Sequence, residues 1–190
     1  MTARLVHLNG APGVGKSTLA HALVASRPGW LDLDIDLLRS LVGGWEGDFV
    51  ATGSVVRPLA LAMISAHLDA GRTVVLPQLL ADPVELERFV ASATAAGAAY
   101  TGLLLDLPDP TLAARWRERD TSGPVTSASN RVIAGDGGDA VVLGWAQRLR
   151  ETYAARPDVT TIGIGGLDVH EALGLVVAEI DGGRSAARGS

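Results

Sequence analysis

How this chain can fold is limited above all by a glycine-rich turn between an apolar run and a helix-forming stretch. The run Leu5–Leu8 has the length of a strand, and the segment GAPGVGKS at residues 10–17 agrees with the pattern G-x-x-x-x-G-K-[ST] at every fixed position. Glycines allow backbone N–H groups to turn inward and approach a phosphate chain closely. A helix that begins near Ser17 adds further N–H groups and the positive end of its dipole. The turn is therefore predicted to bind the phosphates of a nucleotide.

Two side chains in this turn indicate which cofactors it takes. Lys16, the only lysine of the chain, is placed to contact the β- and γ-phosphates, and the Ser17 hydroxyl is a hard oxygen ligand that suits Mg²⁺. ATP and Mg²⁺ are the expected cofactors. The residues predicted to contact the nucleotide are Gly10, Ala11, Pro12, Gly13, Val14, Gly15, Lys16, Ser17 and Thr18.

Composition narrows the class of protein. The 190 residues favour one domain, and a 47% hydrophobic content is enough for a sizeable core. The net charge of -5 and the absence of a basic stripe argue against nucleic-acid binding. The chain has no cysteine, its apolar runs are too short to span a membrane, and its N-terminus leaves no room for a signal peptide. A cytoplasmic protein is expected, and its oligomeric state is left open.

The order of the predicted elements indicates an α/β fold. About five short apolar strands alternate with helices, as in a parallel sheet covered by helices on both faces. Residues 1–181 are predicted to form one domain with a lid at about residues 115–138. Within that lid, residues 121–138 are rich in Ser, Gly, Asn and Thr and are predicted to be a long flexible loop. Residues 182–190 are predicted to be a disordered tail.

An acidic pair follows the second predicted strand. Asp34 and Asp36 lie where a carboxylate at the C-terminal edge of a neighbouring strand can reach the crevice that holds the γ-phosphate. Alternatively, Asp36 only caps the helix that follows. The guanine motif of GTPases, N/T-K-x-D, is excluded because Lys16 is the only lysine. The third strand, which ends in Pro77-Gln78 rather than in an acid, argues against a motor ATPase.

This layout resembles the small P-loop kinases, including shikimate, gluconate and adenylylsulfate kinases, chloramphenicol phosphotransferase, tunicamycin-type resistance proteins and nearby AAA family ATPases. The resemblance implies a three-layer fold with a five-stranded parallel sheet in the order 2-3-1-4-5. It also implies that Asp34 helps to place Mg²⁺ together with Ser17, and that Asp36 contacts the acceptor hydroxyl. Which of the two aspartates is the base stays open.

Four further residues are candidates for acceptor binding. Arg39 lies one helical turn after Asp36 and could bind an anionic or hydroxylated acceptor, or could pair with an acid on the surface. Arg57, at the start of the next helix, has the same two interpretations. Gln78 follows an apolar strand and could hydrogen-bond the acceptor. Trp45 either walls the acceptor pocket or covers the core.

Arginines near the lid are candidates for contacts to the transferring phosphate. In the kinases that this chain resembles, arginines of this region reach the phosphate when the lid closes, and the candidates here are Arg115, Arg119 and Arg131. Arg117 lies on another helix face. A solvated basic face is the alternative. The resemblance places adenine between this helix and the loop at residues 163–166. The four histidines, His7, His21, His67 and His170, do not cluster and are expected to be structural.

These patterns predict an ATP- and Mg²⁺-dependent phosphotransferase that acts on a hydroxyl of a small molecule, with an antibiotic or another natural product as one option. Two alternatives stay open. One is a nucleotide-binding ATPase module that acts through a protein partner, and the other is a nucleoside or nucleotide kinase.

Overall fold

A computed structural model describes residues 2–186, which form five strands and eight helices around one sheet. Each predicted strand is present. In chain order the elements are β1 (Arg4–Asn9), α1 (Lys16–Ala25), β2 (Leu31–Asp32), α2 (Ile35–Arg39), α3 (Thr52–Asp69), β3 (Val74–Leu76), α4 (Pro83–Ala95), β4 (Ala99–Asp106), α5 (Asp109–Glu118), α6 (Pro124–Gly135), α7 (Asp139–Tyr153), β5 (Val159–Gly163) and α8 (Val169–Ala186).

The sheet is parallel throughout and confirms the order β2-β3-β1-β4-β5. Strand β1 is central, and the chain order reverses on either side of it. In open α/β sheets, ligands bind at the carboxyl ends of the strands at such a switch point. The glycine-rich turn leaves β1 at this point, so the fold puts the predicted phosphate site in the crevice.

Two apolar clusters cover the two faces of the sheet. On one face, Val6 and Leu8 of β1 pack with α1, α5 and α8. On the other face, Leu5 of β1 packs with α3, α4 and the end of α7. Because successive strand residues alternate between faces, this division places His7 and Asn9 on the same face as Leu5. Among residues 2–186, no helix combines the length and the apolar character needed to cross a membrane.

The predicted flexible loop at residues 121–138 is wrong for most of its length, because residues 124–135 form helix α6. Pro124 lies in the first turn, where a missing N–H costs nothing. Ala128 and Ile133 are buried, and α6 contacts both α2 and α7. Burial of one apolar face thus outweighs the weak helix propensity of Ser, Thr and Asn.

Three smaller predictions differ from the structure. Asp34, not Asp36, caps α2, since its Oδ1 accepts from the backbone N–H of Asp36 at 2.9 Å. Helix α3 begins at Thr52, so Arg57 lies in its second turn rather than at its start. Helix α8 continues through Ala186, and residues 182–186 of the predicted tail are therefore helical. Residues 187–190 of that tail lie outside the described residues.

Candidate active site

The glycine-rich turn has a backbone shape that only glycine adopts readily. Gly10, Gly13 and Gly15 have φ angles of 149°, 88° and 109°. Lys16 follows as the first residue of α1, and its Nζ donates to the carbonyl oxygens of Gly10 at 2.7 Å and Ala11 at 3.1 Å. The lysine therefore folds back over the turn that is predicted to hold the phosphates.

Close packing adds a second requirement at two of these glycines. A Cβ at Gly10 would lie 2.8 Å from the carbonyl oxygen of Leu105, and a Cβ at Gly13 would lie 3.0 Å from the Cα of Trp116. The first contact presses the turn against β4, and the second presses it against α5. No side chain larger than hydrogen fits at either position without a backbone shift. The turn is thereby fixed to two neighbouring elements.

Ser17 and Asp34 come together as the sequence predicts. The Ser17 hydroxyl donates to Oδ2 of Asp34 at 2.8 Å, while Oδ1 of the same carboxylate caps α2. Burial raises the pKa of Asp34, and hydrogen bonds from Ser17 and the α2 backbone oppose that rise. A hydroxyl and a carboxylate oxygen this close form a pair of hard ligands that fits Mg²⁺.

Burial lowers the pKa of Lys16 to about 8, although the charges of Asp36 and Asp34 act to raise it. Bound triphosphate would favour the charged lysine and raise that pKa again. Above pH 8 nucleotide binding must then take up a proton, so the affinity for Mg²⁺·ATP is expected to fall roughly tenfold for each pH unit. Calorimetric titration at pH 9 in two buffers of different ionisation enthalpy measures this uptake. The same titration at pH 7 is the control, and equal uptake at both pH values would contradict the assignment to Lys16.

Asp36 and Arg39 form an ion pair at the mouth of the crevice. Nε of Arg39 donates to Oδ1 of Asp36 at 2.9 Å, its Nη1 donates to the carbonyl oxygen of Phe49, and its guanidinium lies 4.4 Å from the centre of the Phe49 ring. Arg39 is 6% exposed. The alternative of a surface arginine paired with an acid is therefore correct in the pairing, which is with Asp36, and wrong in the surface position, because Arg39 is buried.

Arg57 lies beside Arg39. A Cβ at Gly53 would lie 3.3 Å from Nη1 of Arg39 and 3.3 Å from Nη1 of Arg57, so both guanidinium groups flank the first turn of α3. Within residues 2–186, the half-buried Arg57 makes no side-chain hydrogen bond or ion pair. The pair of arginines thus carries one positive charge that Asp36 does not compensate.

The structure separates the three lid arginines. Arg119 follows the last residue of α5 and lies near enough to Asp36 and Lys16 for their charges to influence one another, while burial lowers its pKa. Arg115 is half-buried. Arg131 is exposed on α6, where it donates to Ser127 at 2.9 Å. Arg117 is exposed and pairs with Asp139 at 3.2 Å. Of these arginines, Arg119 is therefore the one whose charge acts on Asp36 and Lys16.

Gln78 and Trp45 complete the set of predicted site residues. Gln78 is half-buried directly beyond β3, and its side-chain amide has no hydrogen-bond partner within the described part of the chain. Trp45 is 8% exposed in the segment between α2 and α3. Its burial agrees with a covering role, and its contact with an acceptor stays a prediction.

The place predicted for adenine borders an open cleft. Gly163 and Gly165 line this cleft of about 600 Å³ together with Leu107 and Pro108, at the carboxyl ends of β4 and β5. Arg150 also lines the cleft and forms ion pairs with Asp106 at 2.9 Å and with Asp109 at 2.8 Å. The position of adenine itself stays a prediction.

Sequence reasoning missed three residues near the site. Trp116 packs its backbone against Gly13, and Asn9 and Tyr153 hold the segment that follows β3. Of the three, only the role of Asn9 could have been predicted from the sequence, because a polar residue in a central apolar strand needs a buried hydrogen-bond partner. Trp116 and Tyr153 read as ordinary core residues of amphipathic helices.

Comparison with known proteins shows the family to which the chain belongs. A family model described as an AAA domain matches residues 5–134. The chain belongs to the AAA domain family. No curated protein matched the chain.

Solved structures place this AAA-domain chain among the small P-loop kinases by fold. It is similar to the tunicamycin resistance protein of Deinococcus radiodurans, with 21% identity, TM-score 0.62 and coverage of 94% of this chain and 95% of that one. It is similar to a gluconokinase of Sinorhizobium meliloti, with 16% identity, TM-score 0.61 and coverage of 95% of this chain and 91% of that one. It is also similar to an APS kinase of Mycobacterium tuberculosis, solved with AMPPNP and APS, with 22% identity, TM-score 0.64 and coverage of 95% of this chain and 98% of that one. At these identities the likeness concerns the fold.

Proposed function

We propose that this protein transfers the γ-phosphoryl group of Mg²⁺·ATP to a hydroxyl of a small molecule. The observation that carries the proposal is the joining of the phosphate turn to the acidic pair, where Ser17 donates to Asp34 at 2.8 Å and the charges of Lys16, Asp36 and Arg119 act on one another. Phosphoryl transfer needs in-line positioning and neutralised charge more than covalent chemistry. This crevice supplies residues that can position the reacting groups and residues that can neutralise charge.

Each residue has a distinct role in the proposed reaction. The backbone of residues 10–17 holds the phosphate chain, and Lys16 leaves the Gly10 carbonyl to contact the β- and γ-phosphates. Ser17 and Asp34 would hold Mg²⁺, which supplies neutralising charge when bound. Asp36 accepts the proton of the acceptor hydroxyl, since only one of its carboxylate oxygens is engaged by Arg39. Arg119 stabilises the charge on the transferring group.

The acceptor is proposed to carry an anionic group in addition to its hydroxyl. Arg39 is already paired with Asp36, but Arg57 beside it is half-buried and unpaired within the described residues. A half-buried positive charge without a partner attracts anions, and a carboxylate or phosphate on the acceptor would pair with it. Gln78 then supplies an amide for a further hydrogen bond. The likeness to the tunicamycin resistance protein supports an antibiotic or other natural product as acceptor.

A second candidate is an ATPase module that acts through a protein partner. Helix α3 supports it, because Val55, Leu59 and Met63 are 48%, 51% and 37% exposed at intervals of four residues on one helix face. An exposed apolar stripe of this kind fits a partner surface.

The deciding experiment follows Mg²⁺·ATP consumption against a panel of hydroxylated acids, sugars, nucleosides and antibiotics. The proposal predicts that one anionic compound stimulates turnover and gains one phosphoryl group by mass. Asp36→Asn should reduce this turnover on the order of 10²-fold, because the base is lost. Asp69→Asn, an exposed carboxylate at the end of α3, is the matched control. Turnover that no compound stimulates and that Asp36→Asn leaves unchanged would move support to the partner-coupled ATPase.

A further inference from the structure

Two polar residues lie in the middle of the apolar sheet. His7 and Asn9, each 1% exposed, occupy the same face of the central strand β1. Burying a polar group is unfavourable unless it finds a hydrogen-bond partner. Both residues find such partners in one place, the segment 78–80 that follows β3.

His7 holds the backbone of Gln78. Its Nε2 lies 2.8 Å from the carbonyl oxygen of Gln78, and its Nδ1 lies 2.9 Å from the hydroxyl of Tyr100. A carbonyl oxygen can only accept, so Nε2 carries the proton, and Nδ1 accepts from Tyr100. Burial lowers the pKa of His7 to about 4. The ring is therefore neutral at pH 7, and its two contacts select one tautomer.

Asn9 joins the same segment to the phosphate turn. Its Oδ1 accepts from the backbone N–H of Gly10 at 2.8 Å and of Leu80 at 3.2 Å, and its Nδ2 donates to the carbonyl oxygen of Leu80 at 3.0 Å. Tyr153 donates to that same carbonyl at 2.6 Å. One buried amide thus connects the first glycine of the turn to the segment after β3.

The segment needs these side chains because it has left the sheet. Strand β3 ends at Leu76, and Pro77 has no N–H with which to continue the ladder. Side chains from β1, with Tyr153 of α7, then satisfy the carbonyl of Gln78 and both backbone groups of Leu80, while the N–H of Gln78 donates to the carbonyl of Leu76 at 3.1 Å. The side-chain amide of Gln78 has no partner of its own in the described part of the chain. A free polar group on a firmly held backbone is the arrangement expected of a binding residue.

We propose that His7 and Asn9 are positioning residues, which fix Gln78 at a set distance from the phosphate turn so that its amide meets the acceptor. The assignment of Gln78 to the acceptor rests on the proposed function, whereas the holding of segment 78–80 does not. Of the phosphate turn and segment 78–80, His7 hydrogen-bonds only the segment. Asn9 hydrogen-bonds both, and the two residues are therefore expected to differ in their effect on nucleotide binding.

Backbone ¹⁵N relaxation of segment 78–80 tests the proposal with no acceptor present. In the unmodified protein, the order parameters of Gln78, Leu79 and Leu80 should be about 0.85, as in the strands. In His7→Asn, whose shorter side chain keeps a group near Nδ1 but does not reach the Gln78 carbonyl, these values should fall below about 0.6. His7→Gln, whose amide nitrogen reaches the position of Nε2, should restore them.

Titration with Mg²⁺·ATP separates the two positioning residues. His7→Asn should leave the dissociation constant within about twofold, whereas Asn9→Ala, which also frees the N–H of Gly10, should raise it about tenfold, the effect of losing roughly 1.4 kcal/mol. Order parameters below 0.6 in the unmodified protein, or unchanged values in folded His7→Asn, would overturn the proposal. If Mg²⁺·ATP does not bind the unmodified protein, the proposed function fails, and the relaxation data still decide whether His7 and Asn9 hold the segment.

Discussion

Replacing Arg119 with alanine is expected to lower phosphoryl transfer by about 10³-fold or more while leaving Mg²⁺·ATP binding nearly unchanged. An arginine that meets the transferring group stabilises charge that develops only in the transition state, so its loss appears in kcat rather than in ground-state affinity. Arg119 is the lid arginine whose charge acts on both Asp36 and Lys16. Single-turnover kinetics with γ-labelled ATP and the acceptor found in the panel measure the effect.

Helix α5, which directly precedes Arg119, supplies the control for this prediction. Arg117→Ala removes an equal charge two residues away, but Arg117 is exposed and pairs with Asp139 at 3.2 Å. Its loss is expected to change turnover less than twofold, since a surface ion pair contributes little. Equal losses in the two variants would show that net charge near the lid matters rather than the position of Arg119. A loss of ATP affinity in Arg119→Ala would assign this arginine to ground-state binding instead.

The closeness of Ser17 to Asp34 could be predicted from the sequence because the position of each follows from local rules. The pattern at residues 10–17 lies between a strand and a helix, and Asp34 lies two residues beyond a strand that ends at the same sheet edge. Sheet topology then brings Ser17 and Asp34 to 2.8 Å without any further information from the sequence. The strand order was inferred from the resemblance and is confirmed.

The sequence could not choose among Arg115, Arg119 and Arg131, because the choice depends on how α5 packs. Helix spacing puts Arg115 and Arg119 on one face, but only the tertiary position of α5 decides which of them reaches the acidic pair. Residues 124–135 were misread for a related reason. Their polar composition favours a loop, and the burial of Ala128 and Ile133 that makes them helical depends on the position of other helices.

Gly13 lies where the glycine-rich turn meets α5. Its Cα lies against the backbone of Trp116, and Arg119 follows three residues later at the end of α5. The contact sets how closely α5 approaches the phosphate turn, and hence how far Arg119 extends towards it. Glycine is therefore favoured at this position for two reasons, the φ angle of 88° and the closeness of the Trp116 backbone.

Gly13→Ala is accordingly expected to destabilise the protein by about 3 kcal/mol or more. A non-glycine residue at a φ of 88° costs about 1–3 kcal/mol, and the new Cβ would also lie 3.0 Å from a backbone atom of Trp116 that cannot rotate away. For a domain of this size the expected fall in Tm is roughly 6–12 °C, measurable by calorimetry without nucleotide.

Gly97→Ala separates backbone strain from close packing in this experiment. Gly97 has a φ of 64° after α4, and a Cβ there would meet no atom within 4 Å. Only strain is added, so the expected cost is about 1 kcal/mol and the Tm should fall by roughly 2–4 °C. If Gly13→Ala lowers Tm no more than Gly97→Ala does, α5 yields to the added methyl group. The contact between Gly13 and Trp116 would then not set the distance between the turn and Arg119.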